Sequence, residues 1–473
     1  MLLRQSTRCL PRFVPLLAGR SRLAHNVAAD AGDRFRVVIV GTGWAGYKLL
    51  IKGKDYRQEI EQAMGKPVDF VVVSERNHFL YTPLLASTTV GTLEFRSITE
   101  PVRETVFRHE QDFILASVKA IDTEKKQLQC KSSLSNRDYK VNYDMLVVAC
   151  GSRPLTFGLP GVEEHAFFLK EIHHARAIRR RIVENFELAT QPGVPEDVQR
   201  QLLHFVVVGG GPTGVEFCAE LYDFVVEDLT RFYPQVSNLL RVSLVDAGEI
   251  LSTFDATLRD QAMRNIKKRD SMNIIKNNCK EVLADAVVLQ SGEKIPCGLV
   301  VWTAGVGPNE LTKSLPWAKS KRGNILTNQF CQVLGLPSSE KDAKPFLGLQ
   351  NSSSVFAIGD CAEIENYPLP ATAQKAQGQA LYLLDLLLKR PIEPYRFDSK
   401  GLMAYIGSYE GLFQAKDVHI GNKSTPLAKF GGWQAWFVWR SAYLTKLGSW
   451  RLRLQVPIDW IKAMVVGRDV SRF

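Results

Sequence analysis

Two glycine-rich turns, each directly behind an apolar run, constrain this chain more than any other feature. Val37-Val38-Ile39-Val40 leads into Gly41-Thr42-Gly43-Trp44-Ala45-Gly46, and Phe205-Val206-Val207-Val208 leads into Gly209-Gly210-Gly211-Pro212-Thr213-Gly214. In such a turn backbone N–H groups point at a pyrophosphate. The first glycine permits the tight turn, the second lets the phosphate approach, and the third lets helix and strand pack closely. One match is weak evidence. Two, roughly 170 residues apart, suggest a protein that holds two dinucleotides against each other.

The rest of the chain fits that reading. Phe70–Val73 and Met145–Ala149 read as buried strands of the first module, with short antiparallel strands at Ile114–Val118 and Gln127–Cys130. A charged helix spans Lys170 to Ala189. The pattern then restarts with Phe205–Val208, a helix through Glu216 and Glu220, Val242–Val245, and Leu299–Trp302. The expected fold is α/β, with two Rossmann-like modules and a C-terminal amphipathic segment. Residues 316–350 are rich in Ser, Lys, Gly and Pro and read as an exposed excursion. Val355–Ile358 is a strand ending at Gly359-Asp360, followed by a helix from about Ala371 to Leu388.

The net charge of +11 sits at the two ends: residues 1–29 contribute +5 and residues 420–473 contribute +7, leaving −1 for the body. A body of that charge argues against nucleic acid as a partner. The first residues are Arg-rich and free of acids before Asp30, the composition of a mitochondrial import sequence. The eight cysteines include no C-x-x-C pair, so neither metal ligation nor a local redox dithiol is expected. No apolar run reaches membrane-spanning length. Five of the eight tryptophans (Trp433, Trp436, Trp439, Trp450 and Trp460) fall near the C-terminus. A helix over Trp433–Leu447 would gather Trp433, Trp436, Phe437, Tyr443, Leu444 and Leu447 on one face, with Arg440 misplaced among them. Such a face suits a membrane interface, or packing at a dimer interface. Arg440 would snorkel to lipid phosphate or pair with an internal acid.

Several side chains stand where dinucleotide chemistry needs them. Ser74 or Glu75 ends the second strand and is placed to bind a ribose. Asp246 ends the corresponding strand of the second module, where it would accept from both ribose hydroxyls of NADH and repel a 2′-phosphate. Glu216, read as lying in the first helical turn, is either a helix-terminus charge or a proton relay. Gly359-Asp360 suits the ribityl chain of a flavin.

The sequence resembles the type II, rotenone-insensitive NADH:quinone oxidoreductases, single-subunit FAD enzymes of the glutathione-reductase-like class. The resemblance rests on SERNHFLYTPLLASTTVGTLEFRSI (74–98), TFGLPGVEEHAFFLKEI (156–172), VVVGGGPTGVEFCAEL (206–221), FAIGDCAEI (356–364), LPATAQKAQGQA (369–380), LMAYIG (402–407) and DWIKAMVVGRDVSRF (459–473). It implies an FAD site of Gly41, Gly43, Ala45, Gly46, Ser74, Glu75, Arg76, Val118, Gly151 and Ala373, with Thr82, Pro83 and Leu84 beside the isoalloxazine and Gly359 and Asp360 under it. It implies that Gly209, Gly210, Gly211, Thr213, Gly214 and Asp246 receive NADH, with Ala304 and Gly305 on the nicotinamide side. Glu216 and Gln374 are its implied catalytic residues, and Thr372, Ala373 and Gln374 match the quinone-facing helix start. The family's second glutamine is replaced by Gly378. The implied activity carries two electrons from NADH through FAD to ubiquinone without pumping protons, at the inner mitochondrial membrane. The implied organisation is a targeting sequence (1–33), an FAD-binding domain in two parts (34–169 and 313–415), an NADH-binding domain (170–312) and a monotopic membrane-association segment (416–473), in a homodimer. No metal and no calcium loop are expected. Rival readings are another FAD- and NAD(P)H-dependent reductase, for ferredoxin, disulfide or sulfide, and a flavoprotein like apoptosis-inducing factor.

Overall fold

The structure, a computed structural model, describes residues 25–27, 34–104, 107, 109, 112–336, 345–349, 352–415, 417–420, 423–426 and 429–471. Most of the expected import segment therefore lies outside the described residues. Within it, His25–Val27 runs parallel to Tyr139–Val141 at the edge of the first sheet.

The first sheet is built on Phe35–Val40, whose Val37, Val38 and Ile39 are fully buried. Burial on both faces is what a parallel strand covered by helices requires. It pairs in parallel with Val68–Ser74 on one side and Met145–Val148 on the other, and Val355–Ala357 lies beyond the latter. The strand Phe113–Asp122 is longer than expected. Its first residues pair in parallel with Val72–Ser74, and the remainder forms the anticipated antiparallel hairpin with Gln127–Ser132.

The second sheet has the order Phe167–Phe168, Leu299–Trp302, His204–Val208, Arg241–Val245, Met272–Ile275, with every pairing parallel. Two antiparallel linker strands, Ser152–Pro154 and Val306–Pro308, cross between the modules.

Residues 316–350 are not the exposed excursion that their composition suggested. Trp317, Ile325, Cys331 and Val333 are buried, and Trp317, Ile325 and Val333 pack against the face of the first sheet formed by Val38, Val40 and Val71. Ile325–Thr327 also pairs in parallel with Ala362–Ile364. A few well-spaced apolar residues suffice to fold a polar segment onto a sheet. Residues 337–344 and 350 lie outside the described residues.

The C-terminal region begins as three antiparallel strands, Leu402–Gly407, Glu410–Gln414 and Lys429–Gly432, and ends in two helices, Trp433–Lys446 and Trp450–Val465. The first helix does not present one apolar face. Ala435 and Trp439 are buried, while Trp433 and Phe437 are exposed. The inner side packs on the strand at Gly411, where a β-carbon would lie 3.0 Å from the Trp436 nitrogen. Arg440 is largely buried and forms no ion pair within 4 Å among the described residues. It stacks between the rings of Trp436 and Trp460, 4.1 Å and 4.4 Å from their centroids.

The extreme C-terminus is clamped to the second module. A turn of π-helix over Val225–Leu229 presents buried Asp228 to Arg468. The Arg468 guanidinium donates to Asp228 and Glu227, both at 2.8 Å, and to the Thr92 hydroxyl at 2.9 Å. Removing the cation leaves a buried carboxylate without its partner. Arg468→Ala should therefore lower stability by about 3 kcal/mol, read as a shift in the urea midpoint. An unchanged midpoint contradicts this account of the clamp.

Candidate active site

The two glycine turns share one geometry. Gly41 has φ +106° and Gly209 has φ +116°. A β-carbon on Gly41 would lie 2.5 Å from the Ala149 carbonyl oxygen, and one on Gly209 would lie 2.7 Å from the Ala304 nitrogen. In both turns the third glycine, Gly46 or Gly214, presses on the carbonyl of the first and leaves no room for a side chain. The middle position is open. Gly43 has only the Arg76 guanidinium at 3.6 Å, and Gly211 has nothing within 4 Å. These middle residues are the N-caps of the helices Trp44–Asp55 and Pro212–Phe224. Neither helix has a side-chain cap or an acidic residue in its first turn. Their first N–H groups are thus left for an anion, and the open space admits one. Both turns fit a dinucleotide phosphate.

A cavity of about 1060 Å³ separates the turns. Gly43, Ala45, Thr82, Pro83, Gly151, Gly359, Asp360 and Ala373 line it from the first module, and Thr213, Glu216 and Gly305 from the second. Gly359 is held by its N–H, which donates to the buried Gln379 side chain at 2.8 Å. Asp360 accepts from Ser152 at 3.0 Å, and Lys170 lies 3.7 Å from the same oxygen.

Other expected residues stand elsewhere. Leu84 ends a tight turn and points into the core, and Leu85 and Ala86 line the cavity in its place. Val118 packs in the Gln127–Ser132 hairpin, away from the cavity lining. Ser74 is buried and its hydroxyl sits 2.9 Å from that of Thr42, while Glu75 is exposed at the strand end. Arg76 does line the cavity and pairs with Glu171 at 2.5 Å. Gly210, Ala304 and Asp246 flank the second turn. Asp246 accepts from the N–H groups of Gly210 at 2.5 Å and Gly248 at 2.7 Å, which fixes its carboxylate beside the turn.

Glu216 is the fifth residue of its helix, so it stands in the second turn and not the first. Its carboxylate accepts from the Tyr405 N–H at 3.2 Å. Burial, only partly opposed by that bond, pushes it up to about 8. A carboxyl kept neutral at pH 7 is a poor partner for a helix dipole and a good proton donor. Behind it, Asp223 accepts the Tyr405 hydroxyl at 2.6 Å, and burial raises it to about 6. Glu220 accepts from Ser87 at 2.6 Å and Thr92 at 2.9 Å.

Gln374 lines the cavity, but it also ties down the wall opposite. Its amide donates to the Gly401 carbonyl at 2.9 Å and its oxygen accepts the Lys400 N–H at 2.8 Å. Residues 391–401, without regular structure, supply this wall. Sequence patterns missed them because an irregular loop has no period. They also missed Trp44, which donates to Thr82 at 2.9 Å, and Lys170. Cys150, which lines the cavity, lies beside the fully buried Cys361, far from it in sequence. Its hydrogen bonds with Cys361, Thr312 and Asn309 draw the Cys150 thiol down, while the Cys361 thiol is pushed up.

The profile of the pyridine nucleotide-disulphide oxidoreductases matches residues 35–380, and that of the NDH2 C-terminal domain matches residues 399–469. A probable NADH dehydrogenase from Dictyostelium discoideum is 41% identical over 93% of this chain and 91% of its own. The mitochondrial internal alternative NAD(P)H-ubiquinone oxidoreductase A1 of Solanum tuberosum is 39% identical over 94% of this chain and 89% of its own. The fold is shared with the structure of NDH2 from Plasmodium falciparum in complex with NADH, at TM-score 0.78 and 24% identity, over 92% of this chain and 99% of that one.

Proposed function

The chain belongs to the pyridine nucleotide-disulphide oxidoreductases and within them to the type II NADH dehydrogenases, and on that premise we propose how its residues work. It is a mitochondrial NADH:ubiquinone reductase that moves two electrons and does not pump protons. No described helix is long and apolar enough to cross a membrane. The observation that carries the reading is the pair of open, uncapped glycine turns facing one cavity.

FAD, when bound, supplies the two-electron carrier between nicotinamide and quinone. The first turn, with Gly43 at its open position, would hold the FAD pyrophosphate, and Asp360 would accept from the ribityl hydroxyls. Arg76, paired with Glu171, would border the adenosine end, and exposed Glu75 would reach the ribose. Gly211 and Thr213 would receive the NADH pyrophosphate. Asp246 would accept from the ribose hydroxyls, and its negative charge would oppose a 2′-phosphate. Gly305 would border the nicotinamide.

Ubiquinone reduction consumes protons as well as electrons. Glu216, neutral at pH 7 and facing the cavity, is placed to donate one. It is fully able to do so below its raised pKa and loses the proton as the pH climbs through about 8. In steady-state NADH oxidation with ubiquinone-1, kcat should therefore fall through that range. Glu216→Gln should be roughly tenfold slower at pH 7, a modest share of what general acid catalysis contributes, and flat with pH. An unaltered pH profile in the variant removes Glu216 from the proton path. Absence of ubiquinone-1 reduction by the wild type removes the whole reading.

The C-terminal helices are proposed to lie on the membrane. Trp450, Leu454, Ile458, Ile461 and Val465 are each 56% or more exposed and follow helical spacing, and Trp433 and Phe437 are comparably exposed. Arg451, Arg453 and Lys462 belong to the same helix as the first five. Anionic headgroups suit that charge, whereas a second copy of the chain would repel it. A Trp450→Ser, Leu454→Ser, Ile458→Ser variant should leave vesicles containing anionic lipid while keeping NADH:ferricyanide activity. Undiminished co-sedimentation contradicts this. A homodimer is proposed on the resemblance alone, and a detergent-corrected mass of one chain would exclude it.

A further inference from the structure

The cavity is also lined by apolar side chains, Leu381, Pro391, Ile392, Pro394, Leu402 and Met403, set among charged ones such as Arg396 and Lys400. Apolar side chains of this kind suit the ring of a neutral ligand that is oriented by one or two hydrogen bonds. Of the neutral side chains here, Gln374 is engaged with Lys400 and Gly401 and the Tyr382 hydroxyl donates to the Glu393 carbonyl, while the Thr372 hydroxyl accepts from the Lys375 N–H.

Tyr395 differs from these. Its ring is buried, only 8% exposed, and lies edge-on to Tyr382 with centroids 5.5 Å apart. Its backbone N–H is fixed to the Gln329 carbonyl at 2.9 Å. The hydroxyl has no hydrogen-bond partner among the described residues. That hydroxyl sits over Gly378, where an added β-carbon would lie 2.6 Å from it. Gly378 is inside the helix Ala373–Leu387 and its φ is not positive. The backbone therefore does not require glycine there, and glycine is a poor helix residue. What requires it is the space taken by the Tyr395 hydroxyl. A longer side chain at 378 would start along the same direction, so the tyrosine and the glycine form one arrangement. Burial also holds the phenol protonated, as a donor must be.

We propose that the Tyr395 hydroxyl, in the space left by Gly378, donates the hydrogen bond that binds a carbonyl oxygen of the quinone. This rests on the quinone-reductase reading above. Tyr395→Phe removes only an oxygen that bonds to no other described residue, so the variant should fold and keep its flavin. Its kcat/KM for ubiquinone-1 should fall about tenfold, as for loss of one hydrogen bond to a bound ligand. NADH:ferricyanide activity should be unchanged, and ubiquinone-1 should raise the melting temperature less than it does for the wild type. Quinone kinetics and ligand-induced melting shift equal to wild type overturn the proposal. So does an equal loss with both acceptors, because the hydroxyl would then act on the flavin or the fold. A wild type that reduces ferricyanide but not ubiquinone-1 overturns the quinone reading itself.

Discussion

The architecture depends on two places where backbone meets backbone with no side chain between. At Gly46 and Gly214 a helix is pressed onto the turn that starts it, against the carbonyls of Gly41 and Gly209. This approach orients the first N–H groups of each helix outward, uncapped, toward a shared cavity. The parallel strands Phe35–Val40 and His204–Val208 fix the direction of each turn, and the linker strands Ser152–Pro154 and Val306–Pro308 fix the turns relative to each other. The open space before each helix and the position of Glu216 follow from that close contact.

Around this frame the second module and the C-terminal region share a buried polar core. Glu216, Asp223 and Tyr405 are linked through hydrogen bonds of 3.2 Å and 2.6 Å. Arg440 lies between two tryptophans and Arg468 among Glu227, Asp228 and Thr92. The helices that expose the apolar stripe are therefore attached to the same residues that set the protonation of the cavity. Burial raises both Glu216 and Asp223, and the packing of the last strands and helices supplies that burial.

Much of this was legible in the sequence where the signal is local. The strand–glycine–helix pattern placed both turns, and the acid ending a strand placed Asp246, because those relations span only a few residues. Relations set by tertiary packing were not legible. Cys150 meets Cys361, and Asp223 meets Tyr405, across long stretches of chain that carry no spacing rule. Leu84 was misplaced because a tight turn reverses direction within three residues. Residues 316–350 were misread because composition averages over Trp317, Ile325 and Val333, the side chains that fold them inward. The helical wheel over Trp433–Leu447 put Trp433, Phe437 and Leu447 on one face, whereas the first two are exposed and Leu447 is buried; periodicity alone could not say that the neighbouring strand covers the side near Ala435 and Trp439.

The central claim is that one cavity lets a reduced nicotinamide and a quinone share a single flavin. The most direct measurement is an anaerobic titration of the purified holoprotein, following the visible flavin band. The account predicts that NADH bleaches the band stoichiometrically, that NADPH does so more slowly, and that ubiquinone-1 then restores it. A flavin that NADH leaves oxidised, or that stays reduced when ubiquinone-1 is added, would contradict it.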